Sequence, residues 1–228
     1  MDQPTVVDNE TSDQLTGLTN HRHFRFLLES SVLPQAQHRG DPLTLALCDI
    51  DHFLEVNETH GRTFGDLLLT RVAWLLGKVL PDTALIARYG GDEFVAALPD
   101  TRLDEAFTLC EEFRRRVAAL SLEGQPEVHV TSSIGLAAFP THGTNDVDLL
   151  RAADQAMYVS KVSGRNKVSL PLSDSRMVTK TSYYTTTQLE RLSQLARMVK
   201  RNEASLLREA LDDLLKKYDD RFGAPPRG

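Results

Sequence analysis

An α/β (α+β) sandwich, a central sheet with helices packed against it, is the fold class this sequence predicts, and three observations predict it. Leu43 to Ile50 (LTLALCDI) is an apolar run of strand length. Leu68, Leu69, Val72, Leu75, Leu76 and Val79 recur at the spacing of a helix that buries one face. Two further short apolar runs flank Gly90-Gly91, which reads as a hairpin within the sheet.

Taken in order, Asn20 to about Gln37 reads as a helix, and the strand Leu43 to Ile50 follows. The next helix stops at Pro81, which has no N–H to continue it. Ala84 to Tyr89 and Glu93 to Leu98 are short strands joined through Gly90-Gly91-Asp92, where both glycines can take positive φ. A helix from Leu103 to Leu120, a strand from Val128 to Ala137, a helix from Val147 to Val162 and a strand near Lys167 to Leu170 complete the pattern. If the usual right-handed crossover joins the first strand to the second, the two are parallel neighbours, and the hairpin tip emerges beside Asp49. Asp49, Asp51, Asp92 and Glu93 then converge on one sheet edge. Carboxylates that close repel one another unless a divalent cation neutralises them, and hard oxygen ligands suit Mg²⁺ or Mn²⁺. On residue types alone, ordinary turn acids are the more common reading of such clusters.

Composition narrows the classes. With 228 residues, 41% hydrophobic and 25% charged, the chain can bury a core and carry a small second module. No run approaches the roughly twenty apolar residues of a membrane span. Met1 to Ser12 is acidic and polar where a secretory signal is basic and then apolar, so the expected location is the cytoplasm, with no membrane partner. Cys48 and Cys110 make neither a disulfide framework nor a zinc site, and His21 and His23 lack zinc spacing. The net charge of −6 hides an asymmetry: from Ser173 onward there are 11 Lys or Arg against 8 Asp or Glu, about +3, which leaves about −9 for the rest. Ser169 to Ser175 (SLPLSDS) reads as the linker between the two parts.

The string Arg88-Tyr89-Gly90-Gly91-Asp92-Glu93-Phe94 resembles the signature of the GGDEF family, the diguanylate cyclases. Companion motifs follow the family order. They are Asp13-Gln14-Leu15-Thr16-Gly17-Leu18-Thr19-Asn20, Asp49-Ile50-Asp51-His52-Phe53, then Asn57, Gly61 and Gly65-Asp66, then Ser133-Ile134-Gly135, and finally Lys161 with Gly164-Arg165-Asn166. The resemblance covers about Asp13 to Leu170. It implies a nucleotide-cyclase-like central sheet and a reaction in which two GTP, one per subunit of an antiparallel pair, condense to cyclic di-GMP and pyrophosphate. It implies metal ligation, by Mg²⁺ or Mn²⁺, at Asp49, Asp92 and the Ile50 carbonyl. Glu93 is either a second metal contact or the base. Gly90 and Gly91 admit the phosphates, with Phe53 beside them, and Lys161 and Arg165 match the residues that hold the β and γ phosphates.

Asn57 and Asp66 match the guanine-contacting pair. An Asp carboxylate accepts from the guanine N1–H and N2–H₂ donors, which adenine does not offer, so GTP is expected over ATP. The other reading of Asp66 is a helix N-cap, and the two roles can coexist. Three positions depart from the family pattern. Leu54 stands where a Lys is common, Arg62 where a His is usual, and Pro81-Asp82-Thr83-Ala84 replaces the Arg and Asp of the product-inhibition site. Weak activity and no inhibition at that site are the expectations.

The tail resembles the ribbon-helix-helix DNA-binding family. Thr179 to Tyr184 reads as a strand and Thr185 as an N-cap. Leu189, Leu192, Leu195, Ala196 and Val199 form one helix face; Asn202 caps a second helix carrying Leu206, Leu207, Ala210, Leu211, Leu214 and Leu215. About forty residues cannot bury those leucines alone, so a homodimer is expected. The resemblance implies a ribbon in the major groove of double-stranded DNA, with Thr179, Thr181 and Tyr183 toward base edges and Lys200, Arg201 and Asn202 at phosphate. Lys200 and Ser182 depart from that family's turn glycine and packed apolar residue. The other reading of the tail is a dimerisation clip without DNA affinity. The expected organisation is a tail at 1–12, a cyclase domain at 13–170, a linker at 171–177, the ribbon-helix-helix domain at 178–222 and a disordered end at 223–228. The leading reading is a cytoplasmic cyclase tethered to DNA, with the nucleoid as its alternative location; its rival is a regulator that senses GTP or cyclic di-GMP without turnover, for which Leu54 leaves room.

Overall fold

A computed structural model describes residues 10–121, 128–171 and 184–198, and seven positions between Glu203 and Lys217. It divides into two units, residues 1–175 and 176–228. In the first, β1 (Thr19–Asn20) leads into α1 (His21–Leu27), which passes through a π-helical turn (Leu28–Val32) into α2 (Leu33–Arg39). Then come β2 (Leu43–Ile50), α3 (Phe53–His60), α4 (Arg62–Val79), β3 (Leu85–Arg88), β4 (Glu93–Pro99), α5 (Leu103–Ala118), β5 (Ser132–Phe139), α6 (Asp146–Val162) and β6 (Val168–Ser169). The predicted helix over 20–37 thus exists with Asn20 as its cap, the side chain accepting from His23 N at 2.9 Å, and with a π turn that the pattern of apolar residues did not reveal.

The strands form one six-stranded sheet in the order β1-β3-β4-β2-β5-β6. All eight residues of β2 are buried, because helices cover both faces of the strand. Ala46, Cys48 and Ile50 turn to the face packed by α4 and α5, where Leu68, Val72, Leu76, Cys110 and Phe113 form the core. Leu43, Leu45 and Leu47 turn to the opposite face, against Phe24, Leu28, Leu149, Ala153 and Met157 of the α1 and α6 side. Phe24, Phe94 and Phe113 are almost fully buried, each contributing roughly 1.5–3 kcal/mol of hydrophobic stabilisation.

Two expectations about the hairpin are corrected. The strands β2 and β3 are not neighbours: β4 lies between them, antiparallel to both. The hairpin tip still reaches the end of β2, because antiparallel pairing sets Asp49 opposite Glu93. Neither Gly90 nor Gly91 takes a left-handed φ. The connection is four residues long, closed by Tyr89 N donating to Glu93 O at 2.7 Å, so it does not need the mirror-image turn of a two-residue hairpin. The strand expected to begin at Val128 begins at Ser132, and α3 has no counterpart among the sequence-predicted elements.

In the second unit, α7 (Thr186–Met198) starts with a capping box. Thr185 Oγ1 accepts from Gln188 N at 3.2 Å, and Gln188 Oε1 accepts from Thr185 N at 2.9 Å, which realises the predicted cap. Ala196 is buried, while Leu189 and Leu195 are over two-fifths exposed. Leu206, Leu207, Ala210, Leu211 and Leu214 are helical, and the last two are more than half exposed within the single chain. Among the described residues, no helix is long and apolar enough to cross a membrane.

Candidate functional site

Asp49 is the next-to-last residue of β2, and the sheet register places it between Glu93 on β4 and Ser133 on β5. The following residue fixes the turn: Ile50 N donates to Asp92 O at 3.2 Å, tying the hairpin tip to the strand end. Strand alternation turns Asp49 toward the α6 side, where Lys161 Nζ donates to its Oδ2 at 2.6 Å. That reach depends on Gly135. A Cβ there would stand 2.0 Å from Ala153 O and 2.1 Å from Met157 N, so only glycine lets the α6 backbone lie directly on β5.

The electrostatics of this corner favour an added positive charge. Burial raises the Asp49 pKa to about 6 against the pull of Lys161, and Asp92 and Glu93 add to the rise. The Glu93 pKa is also raised, by burial first and then by Asp92 and Asp154, again opposed by Lys161. Among the described residues no three Asp, Glu, His or Cys close a metal site by themselves. A hard cation that completes its shell with other oxygens, as Mg²⁺ does, would fit such a partial set. Asp49, Asp92 and Glu93 are the acids gathered there.

Asp51 does not join them. Its Oδ1 accepts from Ser133 Oγ at 2.7 Å, and its Oδ2 accepts from Thr131 Oγ1 at 2.6 Å and Asn166 N at 3.1 Å. Of the four acids expected at one edge, three remain. The strand ends at Ile50, so Asp51 escapes the alternation that aims Asp49, and three donors of β5 and its surroundings capture it.

Asn57 and Asp66 sit on α3 and α4, consecutive helices joined at Gly61. The close approach is set by Gly65, where a Cβ would stand 2.0 Å from Asn57 Oδ1 and 3.1 Å from the Phe53 ring. Phe53 opens α3 and packs against the core. The N-cap of α4 is Gly61, and Asp66 lies within the helix, exposed, so the capping reading of Asp66 is corrected. Leu54 is 69% exposed, and Arg62 is the exposed first residue of α4. Lys161 is in the last turn of α6 and is half-buried; Arg165 is exposed in the turn that follows.

Sequence reasoning assigned no task to Asp13 and Arg88 beyond their place in motifs. Arg88 donates to Gly91 O through Nη2 at 2.6 Å and Nε at 3.2 Å, and its Nη1 lies 3.4 Å from both Asp13 oxygens. Burial works against the Asp13 carboxylate, but hydrogen bonds from Thr16 Oγ1 and N, with Arg88, outweigh it and hold the pKa low. The Asp-x-x-Thr spacing was the available signal, since it is that of a side chain turning back on its own backbone. The expected DNA-reading residues Thr179, Thr181, Tyr183, Lys200, Arg201 and Asn202 lie outside the described residues.

Comparison with known proteins places this geometry. The family model described as diguanylate cyclase, GGDEF domain, matches residues 10–167, and that of a ribbon-helix-helix domain matches residues 178–219. The chain is 39% identical over 160 residues to the response regulator PleD of Caulobacter vibrioides, covering 69% of this chain and 35% of that protein. It is 37% identical over 161 residues to the diguanylate cyclase DgcP of Pseudomonas aeruginosa, covering 70% of this chain and 24% of that one. Among solved structures, the GGDEF domain of DgcB from Caulobacter crescentus in complex with c-di-GMP superposes with a TM-score of 0.67 at 32% identity, over 77% of this chain and 99% of that one. The active GGEEF domain of a diguanylate cyclase from Vibrio cholerae gives 0.65 at 30% identity, over 68% and 98%. With a family model matched over more than half its length and a sheet that carries Asp49, Asp92 and Glu93 at one corner, the chain belongs to the GGDEF family of diguanylate cyclase domains.

Proposed function

We propose that residues 13–170 condense two GTP into cyclic di-GMP and pyrophosphate, and that residues 178–222, beyond a linker at 171–177, pair two chains and tether them to double-stranded DNA. The observation that carries the cyclase reading is the corner where Asp49, facing Glu93 and bonded to Lys161, meets the pinned Asp92 turn. In the condensation each ribose 3′-oxygen bonds to the α-phosphorus of the other GTP as its bond to pyrophosphate breaks. A bound Mg²⁺ or Mn²⁺ supplies charge neutralisation of the triphosphate and a lower pKa for the attacking hydroxyl.

The chain's own residues supply the rest. Asp49, the Ile50 carbonyl and Asp92 would hold the cation. Glu93 is either a further contact to it or the group that accepts the hydroxyl proton. Lys161, which donates to Asp49 in the cation-free chain, would hold the β and γ phosphates together with Arg165. Asn57 and Asp66 read guanine, with the Asp66 carboxylate accepting from N1–H and N2–H₂. Phe53, Gly90 and Gly91 shape the approach of the phosphates.

The exposed Leu189, Leu195, Leu211 and Leu214 support pairing of the tail, since a helical face of that kind is covered by a second copy in ribbon-helix-helix domains. Thr179, Thr181 and Tyr183 would then meet bases, and Lys200, Arg201 and Asn202 phosphates. Purified protein with GTP and Mg²⁺ or Mn²⁺ should yield cyclic di-GMP on chromatography, and Asp92→Ala should yield none while keeping its circular dichroism spectrum. Binding of GTP without product from the unsubstituted chain would replace the enzyme with a sensor. A chain ending at Leu170 should be monomeric by light scattering and lose gel-shift activity on genomic fragments. A truncated chain that stays dimeric and shifts DNA would overturn the assignment of the tail.

A further inference from the structure

We propose that Asp51 is a positioning residue for Arg165, acting through the turn that follows α6, and so sets affinity for the triphosphate rather than for the base. The inference rests on the reading above that Arg165 meets phosphate.

The turn is one that a chain does not adopt unaided. Helix α6 ends with Arg165 N donating to Ser160 O at 2.9 Å, across Gly164 at φ +105°. Two residues with side chains then follow in the left-handed region, Arg165 at φ +61° and Asn166 at φ +48°. A single non-glycine residue there is uncommon, and a consecutive pair persists only where surrounding groups hold it. An exposed arginine in such a turn has no packing of its own to fix its direction.

Beside the pairing of Lys167 O with Ile134 N, two tethers act on Asn166 itself. Asp51 Oδ2 accepts from its backbone N–H at 3.1 Å, while Arg114 Nη1 donates to its side-chain Oδ1 at 2.7 Å. Each tether is itself anchored. The Asp51 carboxylate is 3% exposed as a residue and locked by the hydroxyls of Ser133 and Thr131 on the β5 side. Arg114 is held on α5 by Glu111, with Nη2 to Oε2 at 2.8 Å. One buried acid thus ties the end of β2, the start of β5 and the arginine turn together. Asp49, two residues earlier, faces the catalytic corner on the same strand end. A common backbone segment therefore fixes the distance between the cation side of the site and its phosphate side.

Chemistry explains why the carboxylate is needed. The Asp51 carboxylate accepts three hydrogen bonds and donates none, and an asparagine in the same shape offers one accepting oxygen and a donating amide. The amide can hold Asn166 N–H only through a neutral oxygen, with a hydroxyl turned to accept from its NH₂, so the tether on the turn loses the charge assistance of the carboxylate. Asp51→Asn should therefore loosen the turn while keeping the volume of the core.

The test is a ligand ladder on the full chain. Binding of GMP and of the α,β-methylene analogue of GTP, whose leaving group cannot depart, is measured by calorimetry for the unsubstituted protein, Asp51→Asn, Arg165→Ala and the double variant. Asp51→Asn should weaken the triphosphate analogue by about tenfold, roughly one lost charged contact, and leave GMP within about twofold. In the Arg165→Ala background the same change should cost nothing further, because the effect passes through Arg165. Equal weakening of both ligands, or additive losses, would make Asp51 a general scaffold residue and overturn the proposal. If Arg165→Ala leaves the triphosphate analogue untouched, the phosphate assignment of Arg165 fails first and takes this proposal with it. Should Asp51→Asn fail to fold, Arg114→Ala removes the other tether on the outer side of the turn. It should weaken the analogue selectively by about threefold; no selective change would overturn the proposal.

Discussion

Arg88 grips the carbonyl of Gly91 with two guanidinium nitrogens, at 2.6 and 3.2 Å, while its third nitrogen faces Asp13. The acid that begins the N-terminal motif is thereby connected to the turn that carries Asp92. Arg88→Lys keeps the charge but cannot reproduce the fork. Turnover of GTP should fall at least about tenfold, the consequence of a misplaced catalytic group. The melting temperature should drop by only a few degrees, corresponding to roughly 1 kcal/mol for lost hydrogen bonds. Full turnover by Arg88→Lys would show that the turn holds its shape without the clamp.

Gly135→Ala tests whether α6 must touch β5. The added methyl meets helix backbone at 2.0 and 2.1 Å, and backbone cannot swing aside as a side chain can. The expected loss is about 3 kcal/mol or more in urea unfolding, at the upper end for overpacking. The variant that still folds should also lose activity, because displacing α6 moves Lys161 away from Asp49. Wild-type stability would mean that the helix can lift without cost.

Asp66→Ser should narrow the preference for GTP over ATP in competition assays, since the acceptor that matches guanine is gone. The fold should be nearly unaffected, because Asp66 is exposed and is not the cap of α4. Gly65→Ala acts on the same pocket from behind: its methyl collides with Asn57 Oδ1, so KM for GTP should rise several-fold through the displaced amide. An unchanged preference in Asp66→Ser together with an unchanged KM in Gly65→Ala would remove the guanine assignment.

The Asp49 carboxyl gives the protein a pH signature. Its pKa in the folded chain is about 6, above the unfolded carboxylate value of 3.8. Between those values the folded state binds the extra proton, so stability falls as pH rises from about 4 to 6. Over that window the contribution is on the order of 1–3 kcal/mol, at about 1.4 kcal/mol per unit. Asp49→Asn should flatten the decline in metal-free urea titrations, and added Mg²⁺ should oppose it in the unsubstituted protein. A decline of the same steepness in Asp49→Asn would place the titrating group elsewhere.

The sequence by itself determined most of the element types, α3 and the π turn apart. Strand β2 was legible because it is an apolar run of strand length, and α4 because its apolar residues recur at helical spacing; the cap at Thr185 was legible because capping is local, whereas the cap at Asn20 and the π turn were not read. The motif order named Asp49, Asp92, Glu93 and Lys161, which the fold brings to one corner. Only the tertiary structure decided which strand lies beside which. The sequence carries the β3–β4 hairpin but not which of its two strands meets β2; β4 is the one that does, so β3 lies one strand further out. Tertiary structure also separated Asp49 from Asp51. Two acids two residues apart look alike in a string; one is aimed by the pleat of a buried strand, and the other lies just past its end, where the hydroxyls of Thr131 and Ser133, some eighty residues away, capture it. Contacts over such separations depend on how the chain closes on itself, and no local preference of either residue encodes them.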